Sequence, residues 1–403
     1  MERLVVIGNG MAGQRFLEAL VERDPSAYAM TAIGAEPVPA YNRVLLSSLL
    51  ARDVAEEAIR YRGREWYADH GIGLRLGAPV AAIDTGAGAI ALADGDTVPF
   101  DRLVLATGSL PIRLPLPGME LDRVLTFRDL ADVDRIAGLA SRARRAVVIG
   151  GGLLGLEAAW GLARAGIDTT IVHLIDRLME RQLDARAAHY LKTAIERKGI
   201  DVLLEARTEA ITGDGSVDGL ALKDGRRIEA DMVVVAVGIQ PAKQLAIAAG
   251  LKCNRGIVVD DRLATSAAGI YAIGECAEHR GTCYGLVEPA YDQARILARN
   301  LTGEIASYEG SVVATNLKVS GVNVFSAGDF LGEGETDTVT LSDPGALTYR
   351  KLVLAGDQLA GAILVGDTAD SAFYQELIRT GRSVAPMRRD LIFGRAMIAS
   401  EAA

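Results

Sequence analysis

Cysteine is scarce in this sequence. Its 403 residues hold only Cys253, Cys276 and Cys283, and none stands in a C-x-x-C pair. So small and odd a set excludes a disulfide framework and suits a reducing compartment. "CAEHRGTC" places His279 between two of the thiols, but that spacing matches no zinc knuckle, so no metal is expected there. Half of the residues are hydrophobic, yet no apolar run is long enough to cross a bilayer as a helix. The first strand begins at Arg3 or Leu4, leaving no room for a signal peptide, and the cytoplasm is the expected compartment. Basic runs are missing as well. The formal charge is -9 and the cations are scattered, which argues against nucleic acid or an anionic membrane as a partner. Aromatics are only 5%, and Trp66 and Trp160 fall in predicted helices, where packing is their expected role.

Glycine is plentiful and is arranged with purpose. "RLVVIGNGMAGQRFLEAL" carries Gly8, Gly10 and Gly13, and "AVVIGGGLLGLEAA" carries Gly150, Gly152 and Gly155. Each is a G-x-G-x-x-G that follows an apolar strand and opens a helix. The first glycine permits the turn, the second lets a pyrophosphate approach the backbone, and the third lets helix pack on strand. One such copy is weak evidence in a glycine-rich chain; two in the same context point to two dinucleotides.

Strands and helices alternate around both copies, as in a doubly wound parallel sheet. After the first loop come the helix "MAGQRFLEALVER", the strand "YAMTAIG", a helix around Ala58–His70 and the strand "GLRLG". Val80 to Leu105 reads as a small antiparallel insert. The pattern then restarts with "RAVVIG", a helix ended by Gly166, "DTTIVHL", a helix stopped by Gly199, "IDVLLE" and a second antiparallel passage, "VDGLALKDGRRIEADMVVVAVG". This is an internal duplication. The chain returns to the first unit through "GIYAIGECAEH" and a helix near Pro289–Leu301. From about Ser311 it becomes a separate α+β domain closed by the helix "SAFYQELIRTG". The fold expected is α/β: two Rossmann-like doubly wound nucleotide-binding domains with β-meander inserts, plus a small C-terminal α+β domain.

An acid some twenty residues past each loop would hold the adenosine ribose. Glu36 in "IGAEP" fits the first loop. After the second, His173 of "IVHL" stands where the carboxylate is expected, and Arg177 lies close enough in sequence to meet a 2′-phosphate. His173 is read either as a coenzyme selector or as an ordinary strand-end residue.

Taken with "LVLATGSLP" and "TSAAGIYAIGECAE", these loops resemble the FAD/NAD(P)-dependent pyridine nucleotide-disulfide oxidoreductases. "AYNRVLLSSLL", "HLIDRLMERQLD", "CAEHRGTCYGLVEPAYDQA", "LKVSGVNVFSAGDF" and "KLVLAGDQLAGAILVGDTAD" narrow the resemblance. They are similar to the flavin part of the large subunit of assimilatory NAD(P)H nitrite reductases and to nitrate reductase electron-transfer subunits, which are related to rubredoxin and ferredoxin reductases. The resemblance implies FAD on the first loop and NADH or NADPH on the second. It implies an FAD-binding domain at 1–112 and 240–308, an NAD(P)H-binding domain at 113–239 and a C-terminal interface domain at 309–403. The cofactor-binding residues it implies are Gly8, Gly10, Met11, Ala12, Gly13, Glu36, Arg43, Val80, Ala106, Thr107, Gly108, Ser109, Gly274, Glu275, Pro289 and Gln293, with Gly150, Gly152, Leu153, Leu154, Gly155, His173, Arg177 and Gly238. Glu275 stands where the family has an Asp on the ribityl chain, and Arg43 is expected on the FAD pyrophosphate. The helix near Pro289 is expected to aim its N-terminus at the flavin.

The family's thiol relays are missing here. Met11–Leu20 and Tyr41–Ser48, where the redox cysteines would stand, contain none. In "YNRVLLSS", Ser48 occupies the place of a lysine that pairs, in related reductases, with a glutamate counterpart of Glu157. Glu157 and Ser48 are the catalytic candidates, the carboxylate meeting either the nicotinamide amide or the Ser48 hydroxyl. Electrons are therefore expected to pass from NAD(P)H through FAD to a separate ferredoxin-like, rubredoxin-like or other iron–sulfur or haem protein, in nitrate or nitrite assimilation. In the large subunits it resembles, the flavin part is followed by a cysteine-rich iron–sulfur domain and a sirohaem domain; this sequence carries no such cysteine cluster and is not expected to reduce nitrite itself. A homodimer is among the arrangements the resemblance implies. The alternatives are another ferredoxin or rubredoxin reductase, an NAD(P)H oxidase, or a flavin- and nucleotide-sensing interaction protein.

Overall fold

A computed structural model describes residues 1–311, 314–319 and 321–401; Ser320, within one of the motifs just quoted, and the last two residues lie outside them. The chain divides into two units. One comprises Met1–Leu46, Val54–Pro111 and Ile239–Ser311, and the other Ser47–Asp53, Ile112–Gly238 and the described residues beyond Ser311.

The first unit is built on a parallel sheet in the order Ile270–Ala272, Arg102–Leu105, Arg3–Ile7, Ala29–Ile33, Gly73–Arg75. The central strand aligns Arg3 with Ala29 on one side and Leu4 with Arg102 on the other. Leu4, Val5, Val6 and Ile7 are all buried, as a sheet covered on both faces requires. Helix Met11–Arg23 turns Phe16, Leu17 and Leu20 into this core and ends where the Asp24 N–H reaches the Leu20 carbonyl. Side chains of that size contribute about 1.5–3 kcal/mol each when fully buried.

Two expectations need correction in this unit. The antiparallel insert is limited to Val80–Asp84, Ala89–Leu92 and Thr97–Pro99; Arg102–Leu105 joins the parallel sheet instead. Its Leu103, Val104 and Leu105 are fully buried, and such an all-apolar run needs cover on both faces. The helix expected at Ala58–His70 is broken into Glu56–Ile59 and Arg64–Asp69. Tertiary pairing breaks it: the Asn42 N–H donates to the Ile59 carbonyl and the Tyr61 N–H to the Ala40 carbonyl, holding Arg60 and Tyr61 extended. Gly63 then caps the second piece.

The second unit repeats the plan, with the order Ile200–Leu203, Asp168–Val172, Arg145–Ile149, Met232–Val235, Val124–Thr126. Its antiparallel sheet is Thr208–Asp214, Ser216–Leu222 and Arg227–Glu229. Met232–Val235, expected within that meander, pairs in parallel with Ala146–Ile149 for the same reason as Arg102–Leu105: every one of its residues is buried. Strand Val124–Thr126 and helix Leu130–Ala140 were not foreseen. The helix announces itself by Asp129, whose carboxylate accepts the Asp132 N–H at 2.9 Å.

The C-terminal part of this unit is an antiparallel sheet ordered Ala314–Val319, Val322–Gly328, Gln358–Val365, Thr348–Ala355, Asp337–Asp343. Helix Ser371–Thr380 closes it through Tyr374 and Leu377 and ends at Gly381, whose φ is 60°. Asp184 ties this sheet to the nucleotide fold. It caps helix Ala185–Glu196 through the Ala187 N–H at 2.8 Å and also receives the Tyr349 hydroxyl at 3.2 Å and the Lys351 ammonium at 3.3 Å. No helix among the described residues is long and apolar enough to cross a membrane.

Candidate functional site

The two glycine loops have the same backbone logic. Gly8 has φ +109°, and a Cβ there would lie 2.0 Å from the Ala106 carbonyl oxygen; a Cβ on Gly13 would lie 2.0 Å from the Gly8 oxygen. Gly150, with φ +123°, meets the Ala236 oxygen at 2.2 Å, and Gly155 meets the Gly150 oxygen at 2.0 Å. The middle glycines differ from these. A Cβ on Gly10 or Gly152 would find nothing within 4 Å. Outer glycines that cannot be replaced therefore hold open a middle position in front of a helix start. Met11 and Ala12 begin one helix and Leu153 and Leu154 the other, and neither cap, Gly10 nor Gly152, supplies a side-chain bond to the first-turn amides. Those amides suit an anion. Each loop fits a dinucleotide pyrophosphate.

Around the first loop the predicted residues gather. Gly274, with φ +78°, donates its N–H to Gln293 Oε1 at 2.7 Å, and its Cβ would stand 2.9 Å from the Ala12 Cβ. Pro289 lies in the first turn of helix Val287–Leu301, one turn before Gln293. The Ser109 hydroxyl donates to Glu275 Oε2 at 2.8 Å, Gly108 has φ +68°, and the Thr107 hydroxyl reaches the Ala242 carbonyl at 2.7 Å. Glu36 accepts the Tyr41 hydroxyl at 2.7 Å and the Arg43 guanidinium, which also lies 5.1 Å from the Tyr41 ring centre. Arg43, expected on the FAD pyrophosphate, is paired in this structure with Glu36, the acid expected on the ribose. Val80 opens the antiparallel insert opposite Leu92. Two residues were missed: Asn9, whose side-chain nitrogen is buried without a hydrogen-bond partner among the described residues, and Tyr67, which donates to Asn9 Oδ1 at 3.0 Å. An orphaned buried donor inside the cradle fits a bound polar group.

Near the second loop, His173 is buried just beyond strand Asp168–Val172, and its Nδ1 accepts the Gly151 N–H at 3.0 Å. Arg177 is paired with Asp176 at 2.9 Å. Gly238, φ +120°, accepts the Ile112 N–H at 3.0 Å. Glu157, on helix Leu153–Arg164, is 7% exposed and has no hydrogen-bond or ion-pair partner among the described residues, so the bond to the Ser48 hydroxyl does not form. Burial pushes this carboxyl up to about 8. Ser48 lies on helix Leu46–Leu50, whose Leu50 side chain sits where a Cβ on Gly161 would clash, at 2.6 Å.

The "CAEHRGTC" segment assembles no metal site, and no cluster of metal-ligating residues occurs among the described residues. His279 Nε2 is 2.8 Å from Asp261 Oδ1. Cys276 is fully buried, its Sγ facing the Leu105 and Ile273 carbonyls at 3.4 and 3.3 Å, and burial raises its pKa, keeping it a thiol.

Residues 2–294 match the family model described as pyridine nucleotide-disulphide oxidoreductase. The chain belongs to this family. Residues 314–382 match the rubredoxin NAD+ reductase C-terminal domain. Membership makes the chain an FAD-dependent NAD(P)H oxidoreductase. It is 47% identical to a Bacillus subtilis nitrite reductase [NAD(P)H], covering 92% of this chain and 46% of the relative. To the B. subtilis assimilatory nitrate reductase electron transfer subunit it is 40% identical, over 97% of this chain and 51% of that one. The chain therefore spans about half the length of these relatives. A ferredoxin reductase structure from Rhodopseudomonas palustris superposes with a TM-score of 0.91 at 27% identity, covering 99% of this chain and 100% of that one.

Proposed function

We propose that this oxidoreductase takes electrons from NADH or NADPH onto FAD and delivers them to a separate ferredoxin-like, rubredoxin-like or other iron–sulfur or haem protein, in cytoplasmic nitrate or nitrite assimilation. The observation that carries the reading is the duplicated cradle: two loops whose outer glycines admit no side chain and whose middle glycines face open space. Similarity to nitrogen-assimilating reductases over nearly the whole chain supports the pathway. The FAD-binding domain is 1–112 with 240–308, the NAD(P)H-binding domain 113–239 and the interface domain 309–403.

FAD, when bound, supplies the conversion between hydride and single electrons. The chain's own residues bind and orient. The amides of Met11 and Ala12 and the orphaned Asn9 amide take the FAD phosphates, and Glu36, steadied by Tyr41 and Arg43, takes the ribose. The Ser109–Glu275 and Gly274–Gln293 bonds fix the loop against the start of helix Val287–Leu301. On the second loop, Leu153 and Leu154 present the amides for the coenzyme pyrophosphate. Glu157, kept largely protonated at neutral pH by burial, offers an O–H to the coenzyme side, and Ser48 holds the sequence position that a lysine fills in related reductases.

Anaerobic mixing with NADH tests this. Fast bleaching of the flavin, then rapid reoxidation by a ferredoxin or rubredoxin and slow reoxidation by air, is the expected result. Rapid turnover with oxygen alone would make the chain an oxidase and contradict the reading.

A further inference from the structure

Seven residues after His173 the chain folds back. Glu180 Oε2 comes to 3.3 Å from His173 Nε2, and both groups sit beside the second glycine loop. The turn that returns it is over-determined. Met179 is in the left-handed region, with φ +50°, a conformation that costs of order 1 kcal/mol for a residue with a side chain. Leu178 and Met179 are fully buried, and the Met179 N–H donates to the Gly151 carbonyl at 3.0 Å. Gly151 thus has both backbone groups committed to this segment, its N–H going to His173 Nδ1. A Cβ on Gly151 would strike Leu178 at 2.6 Å and His173 at 2.7 Å. Because Nδ1 accepts, the ring hydrogen is on Nε2, and that nitrogen is buried with no hydrogen-bond partner among the described residues; its contact with Glu180 is too poorly aligned to be one. An oriented donor and a carboxylate are left side by side with a partner missing.

Building on the dinucleotide reading of this loop, we propose that Glu180, held against His173, is the carboxylate that reads the adenine ribose, so that the second loop selects NADH over NADPH. A ribose hydroxyl both accepts and donates. It satisfies His173 Nε2–H and the Glu180 carboxylate together. A 2′-phosphate can only accept and brings negative charge up to Glu180. Arg177 keeps a buried Nε with no hydrogen-bond partner among the described residues, but its charge is offset by Asp176 at 2.9 Å, so Glu180 sets the preference.

The test is equilibrium binding of ADP-ribose and 2′-phospho-ADP-ribose to the flavin-loaded protein by calorimetry, in the native chain and in Glu180→Gln. Glu180 is partly exposed and buries no charge elsewhere, so the substitution leaves the fold in place. The native chain should favour ADP-ribose by at least about tenfold, and the variant should bring the ratio close to one, chiefly by gaining affinity for the phosphorylated ligand. A native preference for the 2′-phosphate, or a ratio unchanged in the variant, overturns the proposal. Failure of both ligands to bind the native chain overturns the dinucleotide reading and this inference with it. As a control for binding in the loop, Gly152→Val should weaken both ligands equally.

Discussion

The two glycine loops are the same device with the side chains exchanged. In the first, Asn9 stands between the glycines and the strand-end residue is Gly34, where a Cβ would lie 3.2 Å from the Asn9 Cβ. In the second, Gly151 stands between the glycines and the strand end carries His173. The equivalence follows from the ladder: the Gly8 N–H reaches the Ile33 carbonyl, and the Gly150 N–H reaches the Val172 carbonyl. By that register Glu36 corresponds to Ile175, which is exposed, and not to His173. Space for one side chain exists at each crossing, and each loop fills it from the opposite partner. The phosphate cradle is thus a property of the backbone, while the ribose reader is free to vary.

The largest effect should come from Gly8→Ala and Gly150→Ala, which drive a Cβ to 2.0 and 2.2 Å from a neighbouring carbonyl oxygen at strongly positive φ. Each should destabilise by roughly 3–5 kcal/mol. Gly8→Ala is expected to purify without flavin, and Gly150→Ala to keep flavin while losing nucleotide binding; thermal melts and absorbance spectra decide. If both variants lose flavin, the loops do not have separate ligands.

Gly10→Val and Gly152→Val sharpen the contrast between outer and middle positions, since no protein atom opposes a Cβ at either. Stability without ligand should change by less than about 1 kcal/mol, while affinity for the matching dinucleotide falls by roughly a hundredfold or more. A loss of stability equal to that of the outer glycines would contradict the open cradle.

Glu157, buried and without a hydrogen-bond or ion-pair partner among the described residues, gives a pH signature. Its folded pKa of about 8 lies above the ordinary 4.5, so the unfolded chain ionises first and the native state loses relative stability as pH rises through that window. The loss approaches roughly 1.4 kcal/mol per pH unit inside the window and levels off above it. Glu157→Gln should flatten this slope and make the variant relatively more stable at high pH, measured by denaturant melts at several pH values. A slope unchanged by the substitution would show that the carboxyl is solvated. The smallest effect expected is that of Glu36→Gln, which weakens the bonds to Tyr41 and Arg43 and should lower FAD affinity about tenfold without altering nucleotide affinity.

The loops were legible in sequence because only glycine survives where φ is positive and a carbonyl crosses at 2 Å. Helix Met11–Arg23 was legible for a related reason: its apolar stripe, its loop and its cap agree. What stayed hidden depends on pairing between distant segments. The break at Arg60–Tyr61 is set by residues 40–42, and the meander boundaries by which strands the parallel sheet recruits. The approach of Glu180 to His173 is hidden for the same reason, because a buried αL turn at Met179, invisible to periodicity, brings it back to the strand end. The pairing of Arg43 with Glu36 likewise depends on how the segment after strand Ala29–Ile33 folds back, which residue type alone does not reveal.

The central claim is that electrons leave the flavin directly, with no pair of thiols inside the chain to store them. Anaerobic titration of the flavin-loaded protein with NADH measures this stoichiometry. The account predicts that about one equivalent of NADH per flavin completes the reduction. A requirement for about two equivalents would reveal a second two-electron centre of the disulfide kind and contradict it.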